Sequence, residues 1–177
     1  RAVIGVSGGL DSTQALIVTC RAMDQLGLPA SLTRLADLPR GLVIVTGPPG
    51  TGKSSTLAAI IDYINRTQRK HILTIEDPIE YRHQNQQCLL TQREVGRNTP
   101  SFAKALHGAL REDPDVIMVG EMRDVETMSL AMTAAATGQL VFATLHTMSA
   151  TQTVDRILDS FDGERASQAR LMLSESL

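Results

Sequence analysis

The chain has 177 residues, with 17 Lys and Arg against 19 Asp and Glu, a formal net charge of −2 and 42% hydrophobic residues. A chain of this length suits one domain with a full core, because folding at this size hides roughly 70% of the unfolded surface. The near balance of charge without an extended basic run argues against a nucleic-acid platform, and no apolar stretch reaches the roughly 20 residues of a membrane span. Cys20 and Cys88 lie far apart without C-x-x-C spacing. They read as two buried thiols in a reducing, cytoplasmic compartment. The chain opens at Arg1 with no methionine and no signal peptide, the pattern of a trimmed piece.

In chain order, a first apolar run, Ala2 to Val6, leads into Ser7-Gly8-Gly9-Leu10-Asp11-Ser12 and then a helical pattern that Asp11 can cap and that ends near Gly27. A strand, a glycine-bearing loop and a helix in that order build an anion site: Gly8 and Gly9 permit close approach, while Ser7 and Ser12 give hydroxyl donors. Asp11 caps its helix or holds a metal. Pro29 to Gly41 reads as a connector, with Ala30 to Ala36 a short helix and Asp37-Leu38-Pro39 its exit.

A second apolar run, Leu42 to Val45, precedes Gly47-Pro48-Pro49-Gly50-Thr51-Gly52-Lys53-Ser54, which fits G-x-x-x-x-G-K-[ST] in every constrained position. Its glycines let successive N–H groups point inward as a nest. The following helix, Lys53 to Asn65, adds its unsatisfied N–H groups and positive end to the same field. Pro48, Thr51 and Ser55 complete the cradle around Gly47, Gly50 and Gly52. Lys53 supplies a compact charge for the β and γ phosphates of ATP, and the Ser54 hydroxyl is placed for Mg²⁺.

Further strands are expected at Ile72 to Ile75, Val116 to Val119 and Leu140 to Ala143. Between them, Thr99 with Pro100 opens a helix ending before Asp113-Pro114, and Asp124 opens one that stops at Gly138. Arg82 to Thr91, rich in Gln and Asn, is an irregular or edge strand, and Gly163 to Leu177 has helical spacing through Ala166, Ala169, Leu171 and Leu173. Strands alternating with helices predict a single α/β domain over residues 1–177: three layers, α/β/α, around a mainly parallel sheet.

In such a sheet, functional groups gather at the carboxyl ends of the strands. Here those ends read Glu76-Asp77-Pro78, Gly120-Glu121 and Thr144-Leu145-His146. Phosphoryl transfer to water needs a group that orients the nucleophile and an acidic anchor for the metal hydration shell. We assign Glu76 as the water-orienting base and Glu121, with Ser54, to the metal side; the bland alternative for either glutamate is an exposed strand-end carboxylate without a task. His146 hydrogen-bonds the γ-phosphate or is a packed residue. Arg93, Arg97, Arg111 and Arg123 are candidates for stabilising transition-state charge, or solvated surface charges. Met118, Met122, Met128 and Met132 read as gap-filling core residues.

From about Leu35 onward the chain resembles the motor ATPases of the secretion superfamily, among them the type IV pilus retraction ATPases. The residues that carry this are "LADLPRGLVIVTGPPGTGKSSTLAAIIDYIN", "HILTIEDPIEY", "QREVGRNTPSFAKALHGALREDPDVIMVGEMRD" and "TAAATGQLVFATLHT" followed by "LSESL". The resemblance implies a RecA-like P-loop core over residues 42–177, with Gly47 to Ser54 as Walker A, Glu76 in the acidic Asp box, Glu121 closing the Walker B strand and His146 in the His box. Arg93 and Arg97 fall in "REVGR", which implies a phosphate-directed or intersubunit role. The loop departs from the family's usual "GPTGSGKST" but keeps each residue needed for binding. The parent family is hexameric; its amino-terminal PAS-like domain and carboxyl-terminal continuation are expected to be missing here, which puts the hexamer in doubt.

Residues 1–29, "AVIGVSGGLDSTQALIVTCRAMDQLGLP" at their centre, resemble instead the ATP-pyrophosphatase loop of glutamine-dependent NAD synthetases. With 30–41 as the junction, this implies a chimera in which one strand-loop-helix unit replaces another. Three functions follow as expectations: weak Mg-dependent hydrolysis of bound ATP, a scaffold that holds nucleotide or phosphate without appreciable chemistry, and adenylation at the first loop.

Overall fold

The computed structural model describes residues 2–5 and 30–177. The Ser7 to Ser12 loop, the helix expected from Asp11 to Gly27, and Cys20 lie outside the described residues. The strands are β1 (Ala2–Gly5), β2 (Gly41–Thr46), β3 (His71–Glu76), β4 (Leu89–Glu94), β5 (Val116–Val119) and β6 (Leu140–Leu145). The helices are α1 (Ala30–Ala36), α2 (Lys53–Thr67), α3 (Phe102–Ala109), α4 (Val125–Ala136), α5 (Ala150–Asp159) and α6 (Glu164–Ser176).

Why these residues make this architecture is visible in the strand alternation. Along β2, Leu42 and Ile44 pack with α3, α4 and α6, whereas Val43 and Val45 pack with α1 and α2. Ile117 and Val119 against Val116 and Met118 on β5, and Val141 and Ala143 against Leu140 and Phe142 on β6, divide the same way. Successive side chains of a strand point to opposite faces, so a sheet covered on both faces needs an uninterrupted apolar run. The result is the expected three-layer α/β/α domain. All five strand pairings are parallel, in the order β1-β2-β6-β5-β3-β4. The carboxyl ends of β2, β6, β5 and β3 therefore open along one edge of the sheet.

Three local readings change. The helix expected from Thr99-Pro100 starts later, at Phe102, because Ser101 is its cap, accepting from the Lys104 N–H at 3.1 Å. Thr99 is occupied in the preceding turn, its carbonyl accepting from Gly96 N–H at 2.8 Å. The Gln- and Asn-rich stretch becomes a strand only from Leu89, as edge strand β4 beside β3. Its earlier part is fastened to α2 instead: Asn65, fully buried, donates to the Gln84 carbonyl at 2.7 Å and accepts from the Gln86 N–H at 3.1 Å. Helix α5 has no counterpart in the sequence reading.

Candidate functional site

The loop between β2 and α2 turns through left-handed backbone at Gly50 (φ 77°) and at Gly52 (φ 85°), the residue that caps α2. A side chain at either position meets no neighbour within 4 Å, so the demand for glycine is conformational rather than steric. The Thr51 hydroxyl closes the loop by donating to the Pro48 carbonyl at 2.8 Å. Lys53 follows Gly52 as the first residue of α2, and its side chain folds back under the loop: Nζ donates to the carbonyls of Gly47 (2.9 Å) and Pro48 (2.8 Å). Burial pushes the Lys53 ammonium below the usual lysine range, opposed by the charges of Glu121 and Glu80. A buried ammonium seeks anionic partners.

Beside this loop lies a cavity of about 290 Å³. Gly50, Lys53 and Ser54 form one wall; Glu76 and Asp77, Gly120, Glu121 and Arg123, and Thr144 and His146 come to it from the ends of β3, β5 and β6. Gly120 is required by close approach: a Cβ there would sit 3.2 Å from the Ile75 carbonyl and 3.4 Å from Glu76 Cα. The tips of β5 and β6 are tied together, the Thr144 hydroxyl donating to the Gly120 carbonyl and the Met122 N–H to the Thr144 carbonyl.

Glu76 is 8% exposed. Its Oε1 accepts from the Thr74 hydroxyl (2.6 Å) and from Nε2 of Gln92 on the neighbouring β4 (3.1 Å). Burial raises its pKa above the ordinary glutamate value, and the Thr74 and Gln92 hydrogen bonds oppose the shift in part. The Glu80 backbone N–H also bonds this carboxylate; a carboxylate made more basic by burial can take a proton. Glu121 is held at both oxygens: Oε1 lies 3.0 Å from His146 Nε2, and Oε2 accepts from Arg123 Nε at 2.5 Å. Arg123 Nη1 also lies 3.6 Å from Asp77 Oδ2, so a chain of polar contacts runs across the three strand ends.

The structure thus brings Gly50, Lys53, Ser54, Glu76, Glu121 and His146 to one cavity. Ser55 stands slightly apart, sharing a 2.8 Å hydrogen bond with the Tyr81 hydroxyl, and Tyr81 itself lines the cavity. Arg93 and Arg97 do not line it; Arg93 is engaged by both carboxylate oxygens of Glu112 at 2.7 and 2.8 Å. Met122, Met128 and Met132 are buried in the core, while Met118 is both a core residue and part of the cavity wall. Cys88 is a buried free thiol. Sequence reasoning missed Glu80, Tyr81 and His83 as cavity residues and Gln92 as the partner of Glu76. The signal available was position, since residues 77–83 directly follow the carboxyl end of a strand.

The family described as Type II/IV secretion system protein matches residues 19–170. The chain is 60% identical over 155 residues to the type IV pilus retraction ATPase PilT of Pseudomonas aeruginosa, covering 88% of this chain and 45% of that protein. It is 59% identical over 159 residues to a twitching motility protein of Neisseria gonorrhoeae, covering 90% and 42%. Among solved structures, the pilus retraction motor PilT with bound ADP aligns at TM-score 0.84 and 54% identity, over 88% of this chain and 45% of the other. The ATPase DotB of Legionella pneumophila aligns at 0.83 and 33% identity, over 100% and 46%. The chain therefore spans less than half the length of the relatives it matches.

Proposed function

The chain belongs to the Type II/IV secretion system protein family, and on that premise we propose that it is a cytoplasmic ATP-binding domain that hydrolyses ATP weakly in a magnesium-dependent reaction. One observation carries this reading: Gly50, Lys53 and Ser54 of the glycine-rich loop face the same cavity as the buried Glu76. The solved PilT motor, 54% identical, has ADP bound, which supports a nucleotide as ligand. No helix among the described residues is long and apolar enough to cross a membrane.

In this mechanism the amides from Gly47 to Gly52 and the α2 terminus bind the phosphates, Lys53 sits against the β and γ groups, and Glu76 orients a water and takes its proton. Four carboxylates, Glu76, Asp77, Glu80 and Glu121, share the cavity wall with two basic side chains, Lys53 and Arg123. Among the described residues no group of three His, Cys, Asp or Glu side chains is placed to hold a metal. The oxygen donors present at the cavity, the Ser54 hydroxyl and the Glu121 carboxylate, suit Mg²⁺, which usually arrives on phosphate oxygens and takes one or two protein groups. The exposed Ser54 hydroxyl and Glu121 would hold it, and it would supply charge neutralisation along the triphosphate. His146 orients Glu121. Arg93 and Arg97, outside the cavity, fit a role across a subunit boundary, as in a hexameric parent.

The engagement of both Glu121 oxygens favours a second reading, a scaffold that holds nucleotide without appreciable turnover. We further propose that a strand-loop-helix unit within residues 1–29, of which the family match takes in only residues 19–29, is exchanged from a pyrophosphatase-type source. The parallel pairing of Ala2–Gly5 with β2 is consistent with a unit that opens on a strand of this sheet. Product analysis with Mg·ATP separates the readings. ADP and orthophosphate are expected; AMP and pyrophosphate would transfer the chemistry to the first loop, and bound nucleotide without product would leave the scaffold.

A further inference from the structure

The sequence offers four arginines for transition-state charge, and their positions are not equivalent. Arg93 Nη2 donates to both carboxylate oxygens of Glu112, and none of Arg93, Arg97 and Arg111 borders the cavity. Arg123 does border it, with a side chain 59% exposed. Its guanidinium is held unequally. Nε is bound to Glu121 at 2.5 Å, Nη1 stands 3.6 Å from Asp77, and Nη2 makes no hydrogen bond among the described residues. Glu121 thereby fixes the root of the fork and leaves its two amino groups for a ligand. The long contact to half-exposed Asp77 is the one that yields, because such surface pairs are weakly held.

Electrostatics gives the fork its task. Lys53 is the other Lys or Arg on a wall carrying four carboxylates; it belongs to the loop side, and burial disfavours its charge. A phosphoryl group in this cavity meets the repulsion of those carboxylates, which Arg123 offsets together with Lys53 and the metal. Resting on the nucleotide-site reading above, we infer that Arg123 is a catalytic residue acting within the same chain, its amino groups contacting the transferred γ-phosphoryl oxygens. As the bond from water oxygen to Pγ forms, the water proton passes to Glu76, the Pγ to β-bridging-oxygen bond breaks, and its electron pair leaves on ADP. Arg123 gains and loses no atoms; it stabilises the equatorial charge through a planar fork that matches phosphate oxygens.

The test compares the 177-residue chain with Arg123→Ala and Arg123→Gln in three measurements: turnover, Mg·ADP binding, and binding of ADP with aluminium fluoride, a mimic of the phosphoryl group in flight. Removing one such donor should lower turnover on the order of 100-fold. Affinity for ADP with aluminium fluoride should fall by at least about tenfold, with Mg·ADP affinity held within about threefold, because the contact is made in the transition state. Melting temperatures should match, since the side chain is mostly exposed. If the original chain binds both ligands and the variants bind and turn over equally well, Arg123 is a surface ion-pair partner and the assignment fails. If the original chain binds no Mg·ADP, the nucleotide-site reading falls first and takes this assignment with it.

Discussion

Lys53→Ala should weaken Mg·ATP binding by roughly 10- to 100-fold, the loss of a charge-assisted hydrogen bond worth about 1.5–3 kcal/mol. The argument is local. Lys53 is 7% exposed, its Nζ bonds only to the Gly47 and Pro48 carbonyls, and an ammonium has three donors, so one remains for a ligand. The neighbouring carbonyls hold the charge against the Gly47 to Gly52 loop, and burial already disfavours it without an anion. A ligand phosphate relieves that penalty. Calorimetric titration of the variant measures the effect, with Asp11→Ala as the contrast, for which a smaller loss is expected. Equal losses in the two variants would remove the Gly47 to Ser54 loop from its assigned role.

Glu76→Gln should keep nucleotide binding and lower turnover by about 10²- to 10⁴-fold, the range for loss of a positioned proton acceptor. The amide is close in shape, and its carbonyl can still accept from Thr74 and Gln92, so the cavity wall should stay in place. The same substitution has a second readout with a definite sign. Burial raises the Glu76 pKa in the folded chain, so the unfolded chain releases this proton first as pH rises. Stability is therefore lost across the interval from the ordinary glutamate value to the raised one. Urea midpoints should show Glu76→Gln more stable than the original chain at neutral pH, with the difference fading as pH falls through the raised pKa and gone below the ordinary value. Turnover of the original chain should decline with falling pH through that same raised pKa. Unchanged phosphate release in the variant would leave Glu76 a buried structural carboxylate.

Much of this fold was legible because its strands are buried on both faces. Leu42 to Val45, Val116 to Val119 and Leu140 to Ala143 are unbroken apolar runs, and such runs stand out against helical periodicity. β4 was obscure for the opposite reason: an edge strand pairs on one side only, so Thr91, Gln92 and Arg93 serve there without an apolar pattern. α5 escaped because it buries only Thr153 and Ile157. Its cap was nevertheless written in Ser149 and Gln152, the Ser hydroxyl accepting from the Gln152 N–H while the Gln152 side chain reaches back to Met148 N–H.

The site divides along similar lines. Gly47 to Ser54 is contiguous, so its chemistry could be read from adjacent residues. The contact of Gln92 with Glu76 depends on β4 lying beside β3, and that of Arg123 with Asp77 on β5 lying beside β3. Neither adjacency is encoded in spacing along the chain. The convergence of Glu76, Glu121 and His146 had been inferred from the general rule for parallel sheets, and the strand order β6-β5-β3 supplies the physical reason.

The proposed grip of main-chain amides on a phosphate tail can be tested at the amides themselves. Hydrogen exchange at Gly50 to Ser54, followed with and without saturating Mg·ADP, should slow on ligand addition, with little change at amides of β4 on the far edge of the sheet. Exchange at those loop amides that is indifferent to Mg·ADP, in a chain whose core amides remain protected, would contradict the account.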